Sequence, residues 1–473
     1  MDLAQVLDLL RSGAGLRTHS GEVETGDVFV SLTRSTDKGA RYIQEAVSKG
    51  AGVVVHADGM TLDYQSGVEF VAVNHPSRTL GLLARTAFGT EGRMPRIVGV
   101  TGTNGKTTTA YLVHDLLAHN GFCTGLIGTV SCRWPGVETA ATMTTPDCLA
   151  LHRLIGRMCG DGVDALVMEI SSHALDQDRI AGAPVDIGVF SNLTQDHLDY
   201  HGSMEKYFEA KARLFTDSEH ACRRGAVNVD DEYGRRLHGM REDLLSFGLD
   251  GAKARLQGRI TAAGTWGMVL NMRYEGRQWE LRTGLMGRYN ASNLLAAQAV
   301  GLLLGFEPGQ LECLQASTGA PGRLQRVPNN RGLDIFVDYA HTPDALDKVS
   351  AALKGMGFGR LITVFGCGGD RDAGKRPLMG QAAARHADVV VLTSDNPRTE
   401  NPQSILDQVE PGLTQARRVV READRRTAIG LAIELMQPGD ALLIAGKGHE
   451  DYQIIGREKH HFSDFEVVQE YLA

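Results

Sequence analysis

The residues best suited to chemistry in this sequence are the glycines, lysine and threonines of the segment GTNGKTT at 102–108. Glycines let the backbone come close to an anion, and the free N–H groups at a helix N-terminus attract phosphate. Lys106 can reach outer phosphates, and the Thr107 hydroxyl can bind a phosphate-linked Mg²⁺. The common pattern, G-x-x-x-x-G-K-[ST], has a further glycine where Val100 stands, so this is a shorter form. The spacing predicts a nucleotide-phosphate site made of Gly102, Thr103, Asn104, Gly105, Lys106, Thr107 and Thr108.

Two elements must position that loop. The apolar run at 96–101 predicts a short buried strand, and apolar residues at helical spacing over 109–117 predict a helix. A strand, a glycine-rich loop and a helix in this order are the context that a phosphate site needs. They favour nucleotide binding over a plain turn.

A carboxylate and two basic side chains follow further along the chain. Glu169 ends an apolar strand at 164–170, where a buried charge is costly unless it is paired or binds a metal. We predict a Mg²⁺ ligand there, with a helix cap or an ion pair as the alternative. His197 lies in a polar loop after another strand and could ligate a metal, contact phosphate or be a surface residue. Lys211, in a predicted helix, by itself indicates a lysine whose ammonium group reaches solvent.

The last third of the chain repeats one pattern, in which an apolar strand ends in a polar, glycine-rich loop. The strands of this pattern are predicted at 334–338, 360–365, 388–393 and 440–445. Such a pattern indicates a doubly wound parallel sheet with its site at one edge. Before it, Asn290 and Asn293 lie one turn apart in a long apolar helix, where they could contact an adenine edge or cap the helix.

Composition excludes several classes of protein. The chain has 473 residues and a formal net charge of −8, which argues against a nucleic-acid partner. We interpret the local arginine cluster at 417–426 as a solvated helix face. The seven cysteines include no C-x-x-C pair, so we expect neither zinc nor disulfides, but a reducing compartment. The N-terminus does not have the pattern of a signal peptide, and we expect no membrane span and a cytoplasmic protein.

Changes in pattern place two boundaries. Residues 1–88 alternate short strands and helices without catalytic chemistry, and their polar turn residues by themselves indicate turn formation. The second part runs from 89 to 319, and its alternation over 226–288 predicts antiparallel strands. We therefore predict an α/β protein of three domains: 1–88, 89–319 with a mostly parallel sheet like that of P-loop ATPases, and 320–473 with a doubly wound, Rossmann-like sheet.

These segments together resemble the Mur ligases, the ATP-dependent amide-forming enzymes of peptidoglycan synthesis. The resemblance covers nearly the whole chain. It rests on TGTNGKTTT (101–109), MEISSHALDQDR (168–179), SNLTQDHLDYHG (191–202), EAKARLF (209–215), GRYNASN (287–293), PGRLQ (321–325), DYAHTPDAL (338–346), GCGGDRDAGKRPLM (366–379), DNPRTENP (395–402) and GKGHEDYQ (446–453).

Within this family, the segment DNPR at 395–398 is typical of members that add meso-diaminopimelate to UDP-N-acetylmuramoyl-L-alanyl-D-glutamate. Arg398 can form a two-pronged contact with the second carboxylate, which diaminopimelate has and lysine lacks. The resemblance implies a diaminopimelate site made of Arg371, Asp395, Asn396, Pro397, Arg398, Gly446 and Glu450.

The resemblance also assigns roles that the patterns left open. Lys211 falls on the family's carbamylated lysine, which would ligate metal together with Thr107, Glu169 and His197. Adenosine would be held by Asn290, Arg323 and Asp338. Contacts to the UDP-muramoyl-dipeptide would come from Thr18, Ser20, Thr144, Thr145, Ser171, Gln177 and Arg179. Diaminopimelate-adding members of the family often have His-Gln-Ala where this chain has Ser35, Thr36 and Asp37, which leaves the uracil contacts open.

The implied reaction uses ATP and Mg²⁺ and proceeds through an acyl phosphate, with Lys106, Glu169, His197 and Lys211 at the catalytic centre. The sites lie on separate predicted domains, so domain closure must assemble them. We expect small-molecule substrates and a monomer. The alternatives are the L-lysine-adding ligase of the same family, a folylpolyglutamate synthase and a non-enzymatic nucleotide-binding switch. The polar loops of the third domain argue against the last two.

Overall fold

The computed structural model of the chain describes residues 1–33, 36–60, 62, 67–249 and 253–473, without the side chains of residues 36 and 37. The chain separates into two compact units. Unit 1 comprises Met1–Gly258, Arg273–Arg277 and Ser292–Leu314, and unit 2 comprises Arg259–Met272, Gln278–Ala291 and Gln315–Ala473. The predicted domain boundaries after residues 88 and 319 stay predictions. No helix among the described residues is both long and apolar enough to cross a membrane.

Unit 1 begins with a four-stranded parallel sheet whose order follows the chain. Its elements are α1 (Leu3–Arg11), β1 (Leu16–Arg17), a 3₁₀ turn (Ser20–Glu22), β2 (Val28–Val30), α2 (Thr36–Ser48), β3 (Val53–Ala57), β4 (Glu69–Val73) and α3 (Pro76–Ala87). Successive strand residues face opposite sides. Val28 therefore packs with Leu83 of α3, while Phe29 packs with Ile43 of α2.

The larger sheet of unit 1 carries the phosphate loop. Its elements are β5 (Arg96–Thr101), α4 (Lys106–His119), β6 (Thr124–Ile127), β7 (Ser131–Trp134), β8 (Val137–Ala140), α5 (Cys148–Gly160), β9 (Ala165–Glu169), α6 (Ser172–Asp176), β10 (Ile187–Phe190), α7 (Leu198–His201), α8 (Met204–Thr216), β11 (Arg224–Asn228), α9 (Glu232–Met240) and β12 (Leu245–Leu249). The strand order is β12-β11-β10-β5-β9-β6-β7-β8, and the first six run parallel. The loops that follow β5, β6, β9 and β10 thus leave the sheet at one edge.

The antiparallel prediction for 226–288 is wrong in its first part. The strands β11 and β12 run parallel, and helix α9 connects them. The helix begins at the cap Asp231, whose carboxylate accepts from Gly234 N, and buries Leu237. Two glycines within nine residues weaken the apolar periodicity by which a helix is recognised. Further along lie β13 (Leu256–Gly264), β14 (Gly267–Tyr274), β15 (Arg277–Thr283), α10 (Arg288–Leu304), α11 (Pro308–Leu311) and a 3₁₀ turn (Glu312–Ala316).

Unit 2 contains a six-stranded sheet of order β16-β17-β21-β18-β19-β20. Its elements are β16 (Gln325–Arg326), β17 (Asp334–Asp338), α12 (Pro343–Lys354), β18 (Leu361–Phe365), α13 (Lys375–His386), β19 (Val389–Leu392), α14 (Pro402–Val409), a 3₁₀ turn (Glu410–Leu413), β20 (Val419–Arg421), α15 (Arg425–Leu435), β21 (Ala441–Ala445), the hairpin β22 (Tyr452–Ile455) and β23 (Glu458–His461), and α16 (Asp464–Leu472). Except for β16, the strands of the sheet are parallel.

Both faces of this sheet are covered. Phe336 packs in the cluster that includes Leu346 of α12, whereas its neighbours Ile335 and Val337 pack in the cluster that includes Ile429 of α15. A parallel sheet with helices on both faces is a doubly wound arrangement. The predicted α/β class, with a mostly parallel central sheet and a doubly wound C-terminal sheet, is confirmed.

The arginine cluster at 417–426 is not the solvated helix face that we expected. Arg421 ends strand β20 and pairs with Asp407 and Glu410. Arg425 begins helix α15 but is 1 % exposed, because its guanidinium pairs with the buried Asp464. Charge density in a sequence does not show which member of a cluster turns inwards.

Candidate active site

The phosphate loop of unit 1 has the geometry that its sequence predicts. Helix α4 begins at Lys106, directly after Gly105 in the left-handed region at φ +85°. A Cβ at Gly105 would lie 2.4 Å from Asn293 Oδ1, and one at Gly102 would lie 2.0 Å from Ser191 Oγ. Both positions therefore need glycine. The Lys106 ammonium group donates to the carbonyls of Gly102 at 2.9 Å and Thr103 at 2.8 Å, so it stays over the loop.

The loop after β10 holds the phosphate loop in place. Asn192 Oδ1 accepts from the Asn104 N–H at 3.0 Å, and its Nδ2 donates to the Asn104 carbonyl at 2.9 Å. Thr103 N donates to the Asn192 carbonyl at 2.9 Å. Sequence reasoning missed Asn192, although it lies inside the polar segment that follows a strand. Parallel pairing of β10 with β5 brings the two loops together.

Glu169 lies at the end of β9 and is 1 % exposed. Its Oε2 accepts from Thr107 Oγ1 at 3.0 Å and from Thr129 Oγ1 at 3.1 Å, and its Oε1 accepts from Thr129 N at 2.7 Å. The predicted alternatives of a helix cap and an ion pair do not describe these contacts. Sequence reasoning missed Thr129, which follows β6, the strand that pairs with β9.

This carboxylate and hydroxyl are donors of the kind that Mg²⁺ prefers. Mg²⁺ is commonly held by one or two carboxylates together with substrate phosphates. The pair formed by Thr107 and Glu169 beside the phosphate loop fits that description. Across the part of the chain that the structure describes, no group of three or more His, Cys, Asp or Glu side chains could hold a metal by itself.

Lys211 does not reach solvent, so the interpretation as a solvent-reaching lysine is wrong. It is 1 % exposed, its Nζ donates to the Gly102 carbonyl at 2.8 Å, and its Nζ lies 4.7 Å from the centre of the Tyr207 ring. Burial lowers the pKa of Lys211 well below its usual value, and the nearby Lys106 lowers it further. Lys211 is therefore biased towards the neutral amine.

His197 lies close to both lysines. It caps α7 at φ +51°, and its ring lies edge-on to His173 at 4.9 Å and to Tyr207 at 6.1 Å. Burial lowers the pKa of His197, Asp196 opposes this shift, and Lys106 and Lys211 lower the pKa further. The predicted catalytic residues of unit 1 thus lie around a single loop, and the lysines nearby oppose further positive charge on His197.

Five of the residues predicted to contact the muramoyl-dipeptide form one continuous network. Thr145 Oγ1 accepts from Ser171 N at 3.0 Å and donates to the Glu169 carbonyl at 2.9 Å. Arg179 donates to the Thr145 carbonyl at 3.0 Å and to Gln177 Oε1 at 2.8 Å. Further contacts are those of Thr144 with Thr129 and of Gln177 with Tyr200.

Asp178 lies between Gln177 and Arg179 and was not predicted. It has a left-handed backbone at φ +54° and a side chain that is 8 % exposed. Burial alone would raise the pKa of its carboxyl, but donors from His220, Ser77 and Arg213 outweigh burial and lower it well below the usual range. The carboxylate thereby fixes the backbone between two predicted contact residues.

The remaining predicted contacts of the nucleotide substrate lie in the first sheet. Ser20 is buried and donates to Glu45 Oε2 at 2.8 Å, and Thr18, two residues earlier, is half-buried. The departure at Ser35, Thr36 and Asp37 lies outside the described residues and side chains. The turn and uridine interpretations of Thr18 and Ser20 both stay predictions.

The residues predicted to hold adenosine lie in unit 2. Asn290 Nδ2 donates to the Met286 carbonyl at 2.9 Å. The Asp338 carboxylate accepts from Leu324 N at 2.6 Å and Ala340 N at 2.8 Å, and burial raises its pKa. The Arg323 guanidinium lies 4.7 Å from the centre of the Tyr339 ring.

The residues of the predicted diaminopimelate site, also in unit 2, follow β18, β19 and β21. Arg398 is half-buried, at φ +50°, and its guanidinium donates to the Gly369 carbonyl at 2.8 Å. Its N–H donates to the Ile454 carbonyl at 3.0 Å, and its carbonyl accepts from Gly456 N at 2.8 Å. These backbone contacts with the β22–β23 hairpin hold a residue in a conformation that L side chains disfavour.

The acidic and amide groups of this site also meet. Asn396 Nδ2 donates to Glu450 Oε2 at 3.2 Å, and the fully buried Lys447 lies 3.3 Å from the same oxygen. Gly446, at φ +116°, leaves room for Asp395, because a Cβ there would lie 2.8 Å from Asp395 Oδ2. Lys447 was missed, because a lysine in a glycine-rich loop gives no sign of burial.

Two loops of the site are joined by further contacts. Within the loop after β19 the Pro397 carbonyl accepts from Glu400 N at 3.1 Å, and between the two loops Asp370 accepts from Thr399 Oγ1 at 2.9 Å. The two carboxylate oxygens of Glu400 in turn accept hydrogen bonds from Nη1 and Nη2 of Arg376, each at 2.8 Å. Arg371 is exposed. The loop that carries Arg398 is thus tied to the loop that carries Arg371.

Two family models match this chain, one in its middle and one in its C-terminal part. The Mur ligase middle domain matches residues 100–301, and the Mur ligase glutamate ligase domain matches residues 322–448. The UDP-N-acetylmuramoyl-L-alanyl-D-glutamate–2,6-diaminopimelate ligase of Lawsonia intracellularis is 48 % identical over 96 % of this chain and 95 % of the relative. The chain belongs to the Mur ligase family.

Solved structures agree with this assignment. A 2,6-diaminopimelate ligase with the same UDP-dipeptide name superposes with a TM-score of 0.72 and 34 % identity, covering 97 % of this chain and 94 % of that one. The Mycobacterium tuberculosis folylpolyglutamate synthase complexed with ADP has a TM-score of 0.63 and 19 % identity over 78 % of this chain and 92 % of its own, which shows a shared fold. As a Mur ligase, the protein is an ATP-utilising ligase and not a non-enzymatic switch.

Proposed function

We propose that this protein joins meso-diaminopimelate to UDP-N-acetylmuramoyl-L-alanyl-D-glutamate at the expense of ATP, as a step of peptidoglycan precursor synthesis. The observation that carries the proposal is the cradle of unit 2, in which Arg398 is held between the Gly369 carbonyl and the β22–β23 hairpin. The names of relatives that match along nearly the whole chain support it. The guanidinium offers paired donors to a second carboxylate, which L-lysine does not have.

The chemistry begins with activation of a carboxylate. A carboxylate oxygen of the D-glutamate attacks the γ-phosphorus of ATP, the bond to the bridging oxygen of ADP breaks, and an acyl phosphate forms. In our proposal the N–H groups at the start of α4 bind the phosphates, and Lys106 moves from the Gly102 and Thr103 carbonyls onto the transferred group. Activation is needed because a carboxylate is a poor acyl donor.

The second step forms the amide. The free amine of diaminopimelate attacks the acyl carbon, the carbon–oxygen bond to phosphate breaks, and the amine loses a proton. Asp395, Asn396 and Glu450 provide acceptors for the ammonium groups of the amino acid, and Arg371 and Arg398 provide donors for its carboxylates. Gly446 keeps space open beside Asp395.

Mg²⁺ would supply charge neutralisation on the phosphate oxygens during transfer. Thr107 and Glu169 fit a first ion, because a hydroxyl and a buried carboxylate adjoin the loop. A second ion would need an oxygen ligand at Lys211, since an amine alone supplies none. We propose that Lys211 is carbamylated and acts there with His197. Carbamylation requires a neutral amine, and the buried environment of Lys211 favours that form.

The UDP-muramoyl-dipeptide would contact the network around Thr145. Arg179 and Gln177 offer charged and amide donors, and Ser171 offers a hydroxyl at the start of α6. Thr144 joins this network through Thr129, which also supports Glu169. We propose that Thr18 and Ser20 contact the uridine, and that Asn290, Arg323 and Asp338 hold adenosine.

We also propose that the enzyme works in the cytoplasm as a monomer, without a nucleic-acid partner. The seven cysteines are all free, which is consistent with a reducing compartment.

Phosphate release tests the proposal directly. Purified protein is supplied with ATP, Mg²⁺ and the UDP-muramoyl-dipeptide, and release is compared with meso-diaminopimelate, with L-lysine and with neither. Release that depends on diaminopimelate supports both the reaction and the role of Arg398. Release with lysine instead keeps a Mur ligase but contradicts the amino-acid choice. If neither amino acid stimulates phosphate release, the proposal that one of them is the substrate is contradicted.

A further inference from the structure

The most deeply buried ion pair of unit 2 lies beside the proposed amino-acid site. Arg425, the first residue of α15, donates through Nε and Nη2 to the two carboxylate oxygens of Asp464, both at 2.7 Å. Asp464 begins α16, and both side chains are 0 % exposed. Burying two charges incurs a large desolvation penalty, so a pair of this kind is weak grounds for stability alone.

The guanidinium has further contacts that explain its position. Arg425 Nη1 donates to the Ser394 carbonyl at 3.3 Å, and Nη2 donates to the Ala445 carbonyl at 3.0 Å. Ser394 directly precedes Asp395, and Ala445 directly precedes Gly446. One side chain therefore joins the starts of both loops that carry the ammonium-binding groups of the proposed site.

The two strands concerned are not neighbours. In the sheet, β18 lies between β19 and β21, so no ladder of backbone hydrogen bonds joins the ends of β19 and β21 directly. Arg425 spans this gap. The two loops approach each other closely, because a Cβ at Gly446 would already lie 2.8 Å from Asp395 Oδ2.

Charge links the pair to the site as well. Although burial lowers the pKa of Arg425, Asp464 raises it above its usual value, and Asp395 and Glu450 act in the same direction. The buried positive charge thus interacts with the two carboxylates that the proposed function assigns to the incoming amino acid.

We propose that Arg425, held by Asp464, is a positioning residue that sets the spacing of the 395–398 and 446–450 loops and thereby the affinity for the incoming amino acid. It touches no substrate. This inference rests on the proposed function, since it concerns how the same site selects its amino acid.

The test compares Michaelis constants in the full chain. Arg425→Lys keeps the charge but loses the fork that holds Asp464 and two carbonyls at once. We expect KM for meso-diaminopimelate to rise about tenfold, with KM for ATP and for the UDP-muramoyl-dipeptide changed less than about twofold. Asp464→Asn keeps a side-chain acceptor and should give a smaller rise of the same kind.

Arg360 offers a matched control. Its guanidinium donates to Asp440 Oδ2 at 2.6 Å and to the Leu435 carbonyl at 2.9 Å. Arg360 directly precedes β18 and Asp440 directly precedes β21, so this pair lies at the opposite edge of the same sheet. Arg360→Lys should lower Tm yet leave all three Michaelis constants unchanged.

Each outcome decides the inference. A rise confined to diaminopimelate in Arg425→Lys, absent from Arg360→Lys, supports it. Equal rises for all substrates, a loss of kcat alone, or the same rise in the control overturns it while the proposed function stands. If Arg425→Lys does not fold by circular dichroism, an unchanged KM for diaminopimelate in folded Asp464→Asn overturns it. If the wild-type chain shows no diaminopimelate-dependent release, both proposals fail.

Discussion

The phosphate loop of unit 1 and the proposed amino-acid cradle of unit 2 are built on different physical principles. The first offers backbone N–H groups and glycines at positions where a Cβ would collide, with Lys106 resting on the loop's own carbonyls. The second offers charged side chains that are tied to each other, such as Lys447 with Glu450 and Arg376 with Glu400. Backbone groups suit a part of the ligand that is always the same, such as phosphate. Side chains suit a part that must be distinguished from similar compounds, such as the amino acid.

This contrast teaches where mutations should affect the reaction and where they should affect selectivity. In our proposal the main chain supplies the geometry that recognises the phosphates, so Lys106 is the side chain whose loss should matter most there. An amino acid is recognised by opposed charges whose positions depend on supports such as Arg425, which makes no contact with substrate in our proposal. Changes in the two regions should therefore separate into effects on kcat and effects on KM.

The largest effect is expected at the phosphate loop. Lys106→Ala removes the ammonium group that lies over the loop and should reduce phosphate release at least about 10³-fold, with KM for diaminopimelate little changed. The measurement is phosphate release under saturating substrates. The exposed Lys206 on α8 gives the control, since Lys206→Ala should retain activity. Activity near wild type in Lys106→Ala would remove the phosphate loop from the mechanism.

A smaller but more selective effect is expected in the cradle. Arg398→Ala removes the paired donors and should raise KM for meso-diaminopimelate about 100-fold, while KM for ATP stays within about twofold. The ratio of kcat/KM for diaminopimelate to that for L-lysine should fall by a similar factor. A parallel rise in both Michaelis constants would break the proposed separation between the two regions.

The support of Glu169 allows a finer test within the first region. Thr129→Val removes one hydroxyl from Glu169 but keeps the shape of the side chain, and it should weaken the apparent Mg²⁺ affinity about tenfold. Titration of activity against Mg²⁺ gives the readout, and excess Mg²⁺ should restore much of kcat. Thr129→Ser should behave like wild type. A Mg²⁺ requirement unaffected by Thr129→Val would argue against an ion at Glu169.

The smallest effect concerns Asp178, a charged support of the network around Thr145 in unit 1. Because the folded state lowers the pKa of Asp178, its carboxylate stabilises the fold above the ordinary aspartate pKa of about 3.9 and loses that contribution as the pH falls. Asp178→Asn should lower Tm by about 5 °C at pH 7 and flatten the dependence of Tm on pH between about 3 and 5.

Substrate affinity should follow the same change. KM for the UDP-muramoyl-dipeptide should rise a few-fold in Asp178→Asn, because Gln177 and Arg179 flank the residue. Asp178→Gly relieves the left-handed backbone but lacks the carboxylate, so it separates strain from charge. If glycine restores KM, the carboxylate is not the support that we infer.

The parts of this molecule that sequence predicts are those encoded by consecutive residues. The phosphate loop, the strand that ends at Glu169 and the loops after β18, β19 and β21 all have local signatures. Thr129, Asn192 and Arg425 were missed because their roles depend on which strands are neighbours in the sheet. Helix α9 was missed because two glycines interrupt its pattern. Functional residues that are consecutive in the chain give a local sequence signature. The residues that support them from other strands depend on the order of the strands in the sheet.

Arg398 has a consequence for how the protein can evolve. A left-handed backbone costs a side chain such as arginine about 1–2 kcal/mol, and glycine is the residue that removes this penalty. Arg398→Gly would remove this strain, but it would also remove the guanidinium and its hydrogen bond to the Gly369 carbonyl. A strained backbone and the proposed contact with the amino acid are therefore properties of one residue. Laboratory evolution towards other amino acids has a natural first step at position 398, where both change together.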